Sequence, residues 1–386
     1  MTTKELDNMY VSHTYGRFPI EIVRGEKEMV YDETGKEYID LSSGIAVSTF
    51  GHSDKELIKA ATEQMEKFFH TSNLYYSAPC ANLAKLLCDK TGAKKVFFSN
   101  SGAEANECAI KAAREYAAKT KGEDYYTIIT LKNSFHGRTI TTLAATGQDT
   151  FHQNFLPLTN GFVYGIANDI NSVKELVASH KCAAIMFELV QGEGGVMPLS
   201  KDFVINLSQI AKENDLVLIA DEVQTGNGRT GKLYAYMHYG ITPDIVTTAK
   251  GLSGGLPIGA TMFFEKTKDI YSPGMHGSTF GGNPVSCAAG ISVISRIDEK
   301  LLSDVAEKGE YIKNSLTGCK GVKSVSGLGL MIGIETEKDA KDVVALCREN
   351  GVLVITAKTK VRLLPPLNIS KENLQKAIEV IKKALV

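Results

Sequence analysis

The sequence carries almost no excess charge. Its 386 residues include 43 Lys and Arg against 44 Asp and Glu, a formal net charge of -1. No basic excess marks the chain for nucleic acid or an anionic membrane. It also lacks an 18-residue apolar run, and its first residues, MTTKELDNMY, contain no apolar core of a secretion signal. We therefore expect a cytoplasmic protein that binds neither nucleic acid nor membranes.

Paired cysteines and metal-ligand spacings are also missing. The seven cysteines form no CxxC pair, and the eight histidines show no HExxH or similar spacing. Scattered cysteines of this kind favour free thiols in a reducing compartment over a disulfide framework. We expect no metal site.

What the sequence does contain is a regular alternation of short apolar runs with helical patterns. This alternation is typical of an α/β fold with a mostly parallel sheet flanked by helices. Helical spacing is clearest in KDFVINLSQIAKEN, residues 201–214. The six candidate strands are VFFSN (96–100), YTIITL (126–131), AAIMFELV (183–190), LVLIADEV (216–223), DIVTTA (244–249) and GATMFFE (259–265).

A polar, glycine-containing cluster follows each of the first five runs: SGAEANE, FHGR, QGEGG, QTGNGRTG and KGLSGG. Ligands of open α/β sheets bind outside the carboxyl ends of the strands. We therefore expect the five clusters to meet at one site.

The pattern changes near both ends of the chain. Residues 1–52 contain a hairpin that turns at Thr34 and Gly35, and residues after about 285 read as a long helical stretch, short strands and a final helix. We expect a large domain over 53–285 and a smaller α+β domain over 286–386, to which the N-terminal segment 1–52 contributes.

The first cluster begins a helix. Ser101 can cap it, and Glu104 can reach back as a capping box. The free amides of Gly102 and the next residues, at the positive end of the helix dipole, suit a phosphate or carboxylate. An ordinary well-capped helix remains the alternative.

Two strand ends carry buried charges of opposite sign. Asp221 ends LVLIA, and Lys250 follows DIVTTA before a glycine-rich turn. Each could be the partner of a salt bridge. Together with the helix start, however, they supply the phosphate anchor, pyridinium partner and Schiff-base amine that pyridoxal phosphate needs, and Phe135 could stack on its ring.

The segment GNGRTG, residues 226–231, supports a rival hypothesis. It matches GxGxxG after a strand, with Asp244 further on, as in nicotinamide-dependent oxidoreductases. DEVQT separates the strand from the first glycine, and Asp244 begins its own strand. We therefore interpret GNGRTG as a glycine-rich loop.

These motifs resemble those of the class III aminotransferases of fold type I, and among them most closely the acetylornithine aminotransferases. The matching segments, in order, include YDETGKEYIDLSSGIAV, HTSNLYY, SNSGAEANE, FHGRT, QGEGGV, DEVQTGNGRTGKLYAYMHYGITPDI, AKGLSGGLPIGA, HGSTFGGNP and VRLLPPLNIS. The resemblance implies a large and a small domain and a homodimer with active sites at the subunit interface.

The resemblance also implies a set of cofactor-binding residues. Lys250 would form the Schiff base, and Asp221 would pair with the pyridine nitrogen. The remaining contacts would come from Gly102 and Ala103 (phosphate), Phe135 (ring face), Val223 and Gln224 (opposite face and 3′-oxygen), and Thr279 (phosphate of the neighbouring subunit's cofactor).

The substrate residues follow from the same resemblance. Arg362 would grip the α-carboxylate of glutamate or 2-oxoglutarate, Arg138 would bind the other carboxylate, and Glu193 would pair with Arg362 when the donor lacks a carboxylate there. Ser278 would lie near the substrate, and Ile45 and Tyr15 would line the donor pocket.

The implied reaction moves the δ-amino group of N2-acetylornithine to 2-oxoglutarate in arginine biosynthesis. Ile45 stands where ornithine aminotransferases carry a tyrosine, so Ile45 is compatible with an acylated ornithine. Ile45 is also compatible with 4-aminobutyrate, and other ω-amino donors, such as succinylornithine or ornithine, remain alternatives.

Overall fold

The computed structural model describes all 386 residues. The chain forms 17 strands, numbered in chain order. They are β1 (Ile22–Glu26), β2 (Met29–Asp32), β3 (Glu37–Asp40), β4 (Lys95–Ser99), β5 (Thr127–Leu131), β6 (Phe162–Gly165), β7 (Cys182–Glu188), β8 (Val190–Gln191), β9 (Met197–Pro198), β10 (Val217–Asp221), β11 (Ile245–Thr248), β12 (Gly259–Phe263), β13 (Val322–Leu328), β14 (Met331–Thr336), β15 (Val352–Leu353), β16 (Ile355–Ala357) and β17 (Lys360–Leu363).

The helical segments lie between and around these strands. They are α1 (Thr3–Tyr10), α2 (Ser43–Ala46), α3 (Lys55–Met65), α4 (Ala78–Thr91), α5 (Gly102–Thr120), α6 (Ile140–Ala145), α7 (Asp149–His152), α8 (Ile170–Ser179), α9 (Lys201–Glu213), α10 (Pro284–Ser295), α11 (Glu299–Leu316), α12 (Ala340–Glu349) and α13 (Lys371–Leu385), with short 3₁₀ turns at Ala235–His238 and Lys250–Leu252. No helix is both long and apolar enough to cross a bilayer.

The main sheet has seven strands in the order β4-β12-β11-β10-β7-β5-β6. Strand β12 is antiparallel to both neighbours, and the other pairings are parallel. All six predicted strands belong to this sheet, so the predicted α/β fold with a mostly parallel, mixed sheet is confirmed. The run AAIMFELV breaks after Glu188, and the partly buried strand β6 was missed.

Helices cover this sheet because their sequences carry a small or apolar face. Helix α5 buries a row of alanines, including Ala105, Ala109 and Ala113, which lets it approach the strands closely. Helix α9 buries Phe203 and Leu207 on the face that its periodicity predicts. The hydrophobic core between these helices and the main sheet holds the carboxyl edge of the sheet in place.

Two smaller four-stranded sheets combine distant parts of the chain. One has the order β1-β2-β3-β15, and the other β13-β14-β17-β16. The predicted hairpin between β2 and β3 is present, with Gly35 at φ 85° donating its N–H to the carbonyl of Asp32. Strand β3 then pairs with β15 near the C-terminus, Ile39 opposite Val352.

Candidate active site

A cavity of about 390 Å³ lies at the carboxyl edge of the main sheet. Four of the five predicted clusters line it, and QGEGG adjoins it where Gly192 packs against the side chain of Gln224. The lining residues are Val47, Asn100 to Ala103, Asn106, Phe135 to Arg138, Glu188, Asp221, Val223, Gln224, Ala249, Lys250 and Gly255 to Ile258. The expectation that the clusters meet at one site therefore agrees with the structure.

The start of helix α5 forms one wall. Ser101 Oγ accepts the Glu104 N–H at 3.2 Å, as expected of a cap. The carboxylate of Glu104 bonds instead to the Asn100 N–H at 2.6 Å, one residue before the cap, so the reciprocal half of the predicted capping box is wrong. The first amides of a helix have no intrahelical acceptor, so those of Gly102 and Ala103 are available to an anion.

Val223 packs tightly on this helix start. A Cβ at residue 102 would lie 2.6 Å from Val223 Cγ1, closer than carbon atoms can approach. Gly102 is therefore required here for close packing, while the same absence of a side chain leaves its amide accessible to the cavity.

Asp221 ends β10 and is 3% exposed. Its Oδ2 accepts the Asn106 Nδ2–H at 2.8 Å and the His136 Nδ1–H at 2.7 Å, and its Oδ1 accepts the Val223 N–H at 3.0 Å. Oδ1 keeps a lone pair for one more donor. The sequence did not indicate that Asn106 and His136 orient Asp221, although His136 lies within the motif FHGR.

Lys250 follows β11 in a left-handed conformation, with φ 44°. It is partly open to the cavity, yet protein surrounds it otherwise, and this desolvation lowers the pKa of its ammonium. Lys250 forms no ion pair, so the alternative interpretation as a salt-bridge residue is not supported. A desolvated lysine without a partner is an amine that reacts readily with carbonyl groups.

Phe135 and Arg138 form the opposite wall. The Phe135 ring meets Phe151 edge to face at 5.8 Å, and the Arg138 guanidinium lies 4.3 Å from the Phe151 ring centre. Glu188 fixes the backbone of Phe135 by accepting its N–H at 2.9 Å, and burial raises the pKa of Glu188 to about 7. Sequence reasoning missed Glu188, which ends β7 beside Asp221.

Arg362 reaches the site from β17 and is 2% exposed. Its Nη1 donates to Glu193 Oε1 at 2.6 Å and to Gln224 Oε1 at 3.2 Å, whereas its buried Nε has no acceptor. Burial alone would raise the pKa of Glu193, but the neighbouring guanidinium lowers it overall. The predicted Arg362–Glu193 pair is thus present, with one donor of Arg362 unused.

Six predicted residues lie outside the cavity lining of the single chain: Arg362 and Glu193, which adjoin it through Gln224, and Ser278, Thr279, Ile45 and Tyr15. Ser278 borders the wall, since its Oγ accepts the Asn100 Nδ2–H at 3.2 Å, whereas Thr279 is exposed. Ile45 is 41% exposed beside the lining residue Val47. Tyr15 is 73% exposed on the N-terminal segment and does not reach the cavity of its own chain.

The loop GNGRTG is buried over its whole length. Gly228 packs beneath Leu367, and Gly231 beneath Ala306. Because the glycines face protein, no open backbone remains for a pyrophosphate, and the rival dinucleotide hypothesis is not supported.

The sequence matches the family described as "Aminotransferase class-III" over residues 10–385. The chain belongs to the class III aminotransferases. The family confirms the predicted enzyme class, and the motifs at Asp221 and Lys250 had indicated it correctly.

Relatives and solved structures of aminotransferases resemble this chain over nearly their whole length. An acetylornithine aminotransferase of Haemophilus ducreyi is 48% identical over 99% of this chain and 98% of its own. An ornithine aminotransferase of Toxoplasma gondii, whose structure holds PLP at partial occupancy, superposes with TM-score 0.94 at 32% identity, covering 99% and 93% of the two chains. The acetylornithine aminotransferase of Elizabethkingia anophelis gives TM-score 0.88 at 32% identity, covering 99% and 97%.

Proposed function

We propose that this aminotransferase moves the δ-amino group of N2-acetylornithine to 2-oxoglutarate, giving N-acetylglutamate 5-semialdehyde and glutamate in arginine biosynthesis. The observation that carries the proposal is the unpaired amine of Lys250, in one cavity with Asp221 and the start of α5, next to the buried Arg362. The relatives named acetylornithine aminotransferase support the choice of donor.

The cavity fits pyridoxal 5′-phosphate as cofactor. When bound, this group supplies a carbonyl that takes up amino groups and a ring that accepts electrons from the substrate carbon. The amides of Gly102 and Ala103 would bind the phosphate, the free lone pair of Asp221 Oδ1 would accept a hydrogen bond from the protonated ring nitrogen, and Phe135 and Val223 would contact the ring. Gln224, which lines the same cavity, would contact the 3′-oxygen region.

Lys250 carries out the proton transfers. Burial lowers the pKa of Lys250, which favours the neutral amine, and a neutral amine can take a proton from the substrate carbon and return it. Three hydrogen-bond donors hold the Asp221 carboxyl group in place.

The arginines select substrates by their carboxylates. A guanidinium binds a carboxylate with two parallel hydrogen bonds, and Arg362 gains that capacity when Glu193 moves away. Arg362 then binds the α-carboxylate of glutamate or 2-oxoglutarate. Arg138 binds the distant carboxylate, which in N-acetylornithine is the α-carboxylate, while Glu193 keeps Arg362 neutralised.

The donor pocket determines which ω-amino compound reacts. Ser278 lies near the substrate, and Ile45 and Tyr15 line the acyl site in the assembled enzyme. Because Ile45 provides only apolar contact, it suits an acylated ornithine, including succinylornithine, or 4-aminobutyrate better than unmodified ornithine. Comparing the rates of these alternative donors separates them.

We propose a homodimer in which Thr279 contacts the phosphate of the partner subunit's cofactor. The segment from Phe69 to Tyr76 supports this arrangement, because Leu74 is 86% exposed and Phe280, beside Thr279, is 60% exposed. Asn73 ties the two segments together by donating to the carbonyls of Ser278 and Gly281. The free cysteines suit a cytoplasmic location.

We further propose two domains, the smaller built from both ends of the chain. The pairing of β3 with β15 supports this division. Helix α10 packs on α3 and α4, and its core residues join those of the main sheet. The predicted boundaries, 53–285 for the large domain and 286–386 for the small one, stay a prediction.

The visible absorption of the purified protein tests the function. We expect a yellow band that bleaches with glutamate and, in a fresh sample, with N-acetylornithine. Bleaching by glutamate alone would leave an aminotransferase with another ω-amino donor. No band after addition of pyridoxal 5′-phosphate would contradict the proposed chemistry.

A further inference from the structure

The loop from Gln224 to Thr230, which includes most of GNGRTG, joins the two chain segments that carry Lys250 and Arg362. On one side, Asn227 Nδ2 donates to Thr248 Oγ1 and to the Ala249 carbonyl, both at 3.0 Å. Ala249 directly precedes Lys250. The loop thereby fixes the backbone from which the reactive lysine projects.

On the other side, Arg229 holds the strands that carry Arg362. Its Nη1 donates to the Leu330 carbonyl at 3.2 Å and to the Pro365 carbonyl, and its own carbonyl accepts the Leu330 N–H at 3.0 Å. Pro365 lies three residues after Arg362, and Leu330 directly precedes β14, the strand that pairs with β17.

Arg229 is an unusual residue to bury. It is 2% exposed, it forms no ion pair, and burial lowers its pKa to about 9. Burying a charge without a counter-charge costs free energy, and an apolar side chain would fill the same space without that cost. The guanidinium of Arg229 instead contributes hydrogen bonds to the Leu330 and Pro365 carbonyls, and these bonds join the two chain segments.

We propose that Arg229 is a positioning residue that sets the location of Arg362 relative to Lys250 and thereby governs the reaction of α-amino dicarboxylates. This inference rests on the proposed function. In glutamate the reacting amine and the α-carboxylate share one carbon, so a small displacement of Arg362 takes the amine out of reach of the reacting centre. In N-acetylornithine the reacting amine lies at the other end of the molecule, and Arg362 remains paired with Glu193.

Arg229→Met and Arg229→Lys test the proposal in the loaded enzyme. Each half-reaction is followed separately by the absorbance change of the bound cofactor. In Arg229→Met we expect the half-saturating glutamate concentration to rise about 10-fold or more, since an error of 1 Å in placing reacting groups can cost about 100-fold. Arg229→Lys keeps a charge that reaches one carbonyl, so its effect should be intermediate.

Binding of glutarate, an unreactive dicarboxylate, gives a readout that does not depend on turnover. We expect calorimetry to show weaker glutarate binding in Arg229→Met by a factor similar to that for glutamate. The half-saturating concentration of N-acetylornithine should change no more in Arg229→Met than in the control variant, Leu302→Ala.

Leu302→Ala is the matched control. Leu302 is buried and packs on Gly228 of the same loop, and its backbone N–H bonds to the Asp298 carbonyl and not to either carbonyl that Arg229 holds. It should lower the unfolding temperature and leave the ratio of the two half-reactions unchanged.

If Arg229→Met impairs the half-reactions with glutamate and N-acetylornithine equally, so that their ratio stays unchanged as in Leu302→Ala, the positioning role is wrong. If Arg229→Met does not fold, the same comparison in Arg229→Lys decides. If the wild-type protein reacts with glutamate but not with N-acetylornithine, the proposed donor is wrong, and the positioning role is then judged from glutarate affinity and from any ω-amino donor that reacts.

Discussion

Lys250 and Arg229 are two desolvated cations that lack a carboxylate partner, and the protein accommodates them differently. Arg229 retains its charge, because even its lowered pKa lies above neutrality and backbone carbonyls accept its hydrogen bonds. Lys250 has no acceptor for a fixed hydrogen bond, and its pKa falls because burial penalises the ammonium. The first residue therefore suits positioning, and the second suits nucleophilic chemistry.

Replacing Lys250 by alanine should separate chemistry from folding. We expect turnover to fall by at least about 10⁴-fold, since both the nucleophile and the proton carrier are lost. Loss of a desolvated ammonium should leave the unfolding temperature of the cofactor-free protein unchanged or higher. Steady-state rates and thermal unfolding measure the two effects.

The exposed Lys232 provides the control, because Lys232→Ala should alter neither quantity. Substantial turnover in Lys250→Ala would disprove the assigned role of this residue.

The sequence predicts residues of the site only where a local pattern marks them. Asp221 and Lys250 were found because each ends an apolar run. Asn106, His136 and Glu188 were not, because their roles arise from contacts across the fold. Asn106 and Asp221, for example, are 115 positions apart, and His136 and Asp221 are 85 apart.

At the scale of an element, the turn Ser43–Ala46 is unusual. Its four residues have φ between 47° and 64°, so it is a left-handed turn that contains a β-branched residue, Ile45. The left-handed conformation costs roughly 1–2 kcal/mol per residue other than glycine. Asp40 Oδ1 holds the turn by accepting the N–H groups of Ser42 and Ser43.

Ile45→Gly should stabilise the protein and impair its function. We expect a gain of about 1 kcal/mol in the free energy of unfolding, because glycine adopts positive φ without a clash. The apolar contact with the donor should be lost, so the KM for N-acetylornithine should rise. Urea unfolding and steady-state kinetics measure these changes.

Ile58→Gly is the control, and we expect its effect on the free energy of unfolding to have the opposite sign. Ile58 is 50% exposed in the right-handed helix α3, where glycine should lower the stability by roughly 1 kcal/mol without changing KM. A loss of stability in Ile45→Gly would show that the turn is not strained.

Elements with a strong pattern of apolar residues were predicted well from the sequence, and elements with a weak pattern were not. The six buried runs and the face of α9 follow from apolar spacing alone. Strand β6 lies at the sheet edge and is only partly buried, so its pattern is weak. The left-handed turn could not be predicted, because propensity favours the right-handed conformation for Ser, Ile and Ala.

For the whole molecule, the exposed apolar segments around Phe280 are the main feature to explain. Tyr75 and Tyr76 are 70% and 108% exposed, and the His70 ring lies 5.3 Å from that of Phe280. Apolar patches of this kind mark interaction sites. We infer that a second copy of the chain covers them.

Tyr76→Lys should weaken the proposed dimer, because it places a charge among the exposed apolar side chains of residues 69–76. Sedimentation velocity should show more monomer at a given concentration, and activity should fall with the dimer fraction, because the proposed contact of Thr279 with the partner subunit's cofactor would be lost. Ile205→Lys, which alters an exposed residue of α9, should change neither. A fully active monomer would contradict the shared-site arrangement.

The pairing of β3 with β15 also sets the order in which the chain can fold during synthesis. Lys36, beside β3, bonds to the carbonyl of Glu349, 313 positions further on. At about 5–20 residues per second, a ribosome needs roughly 15–60 s to make that stretch. During this time β3 has an unpaired edge, which is the kind of edge that recruits other chains. The edge of β3 in a nascent chain therefore stays without its native partner until β15, residues 352–353, has been synthesised.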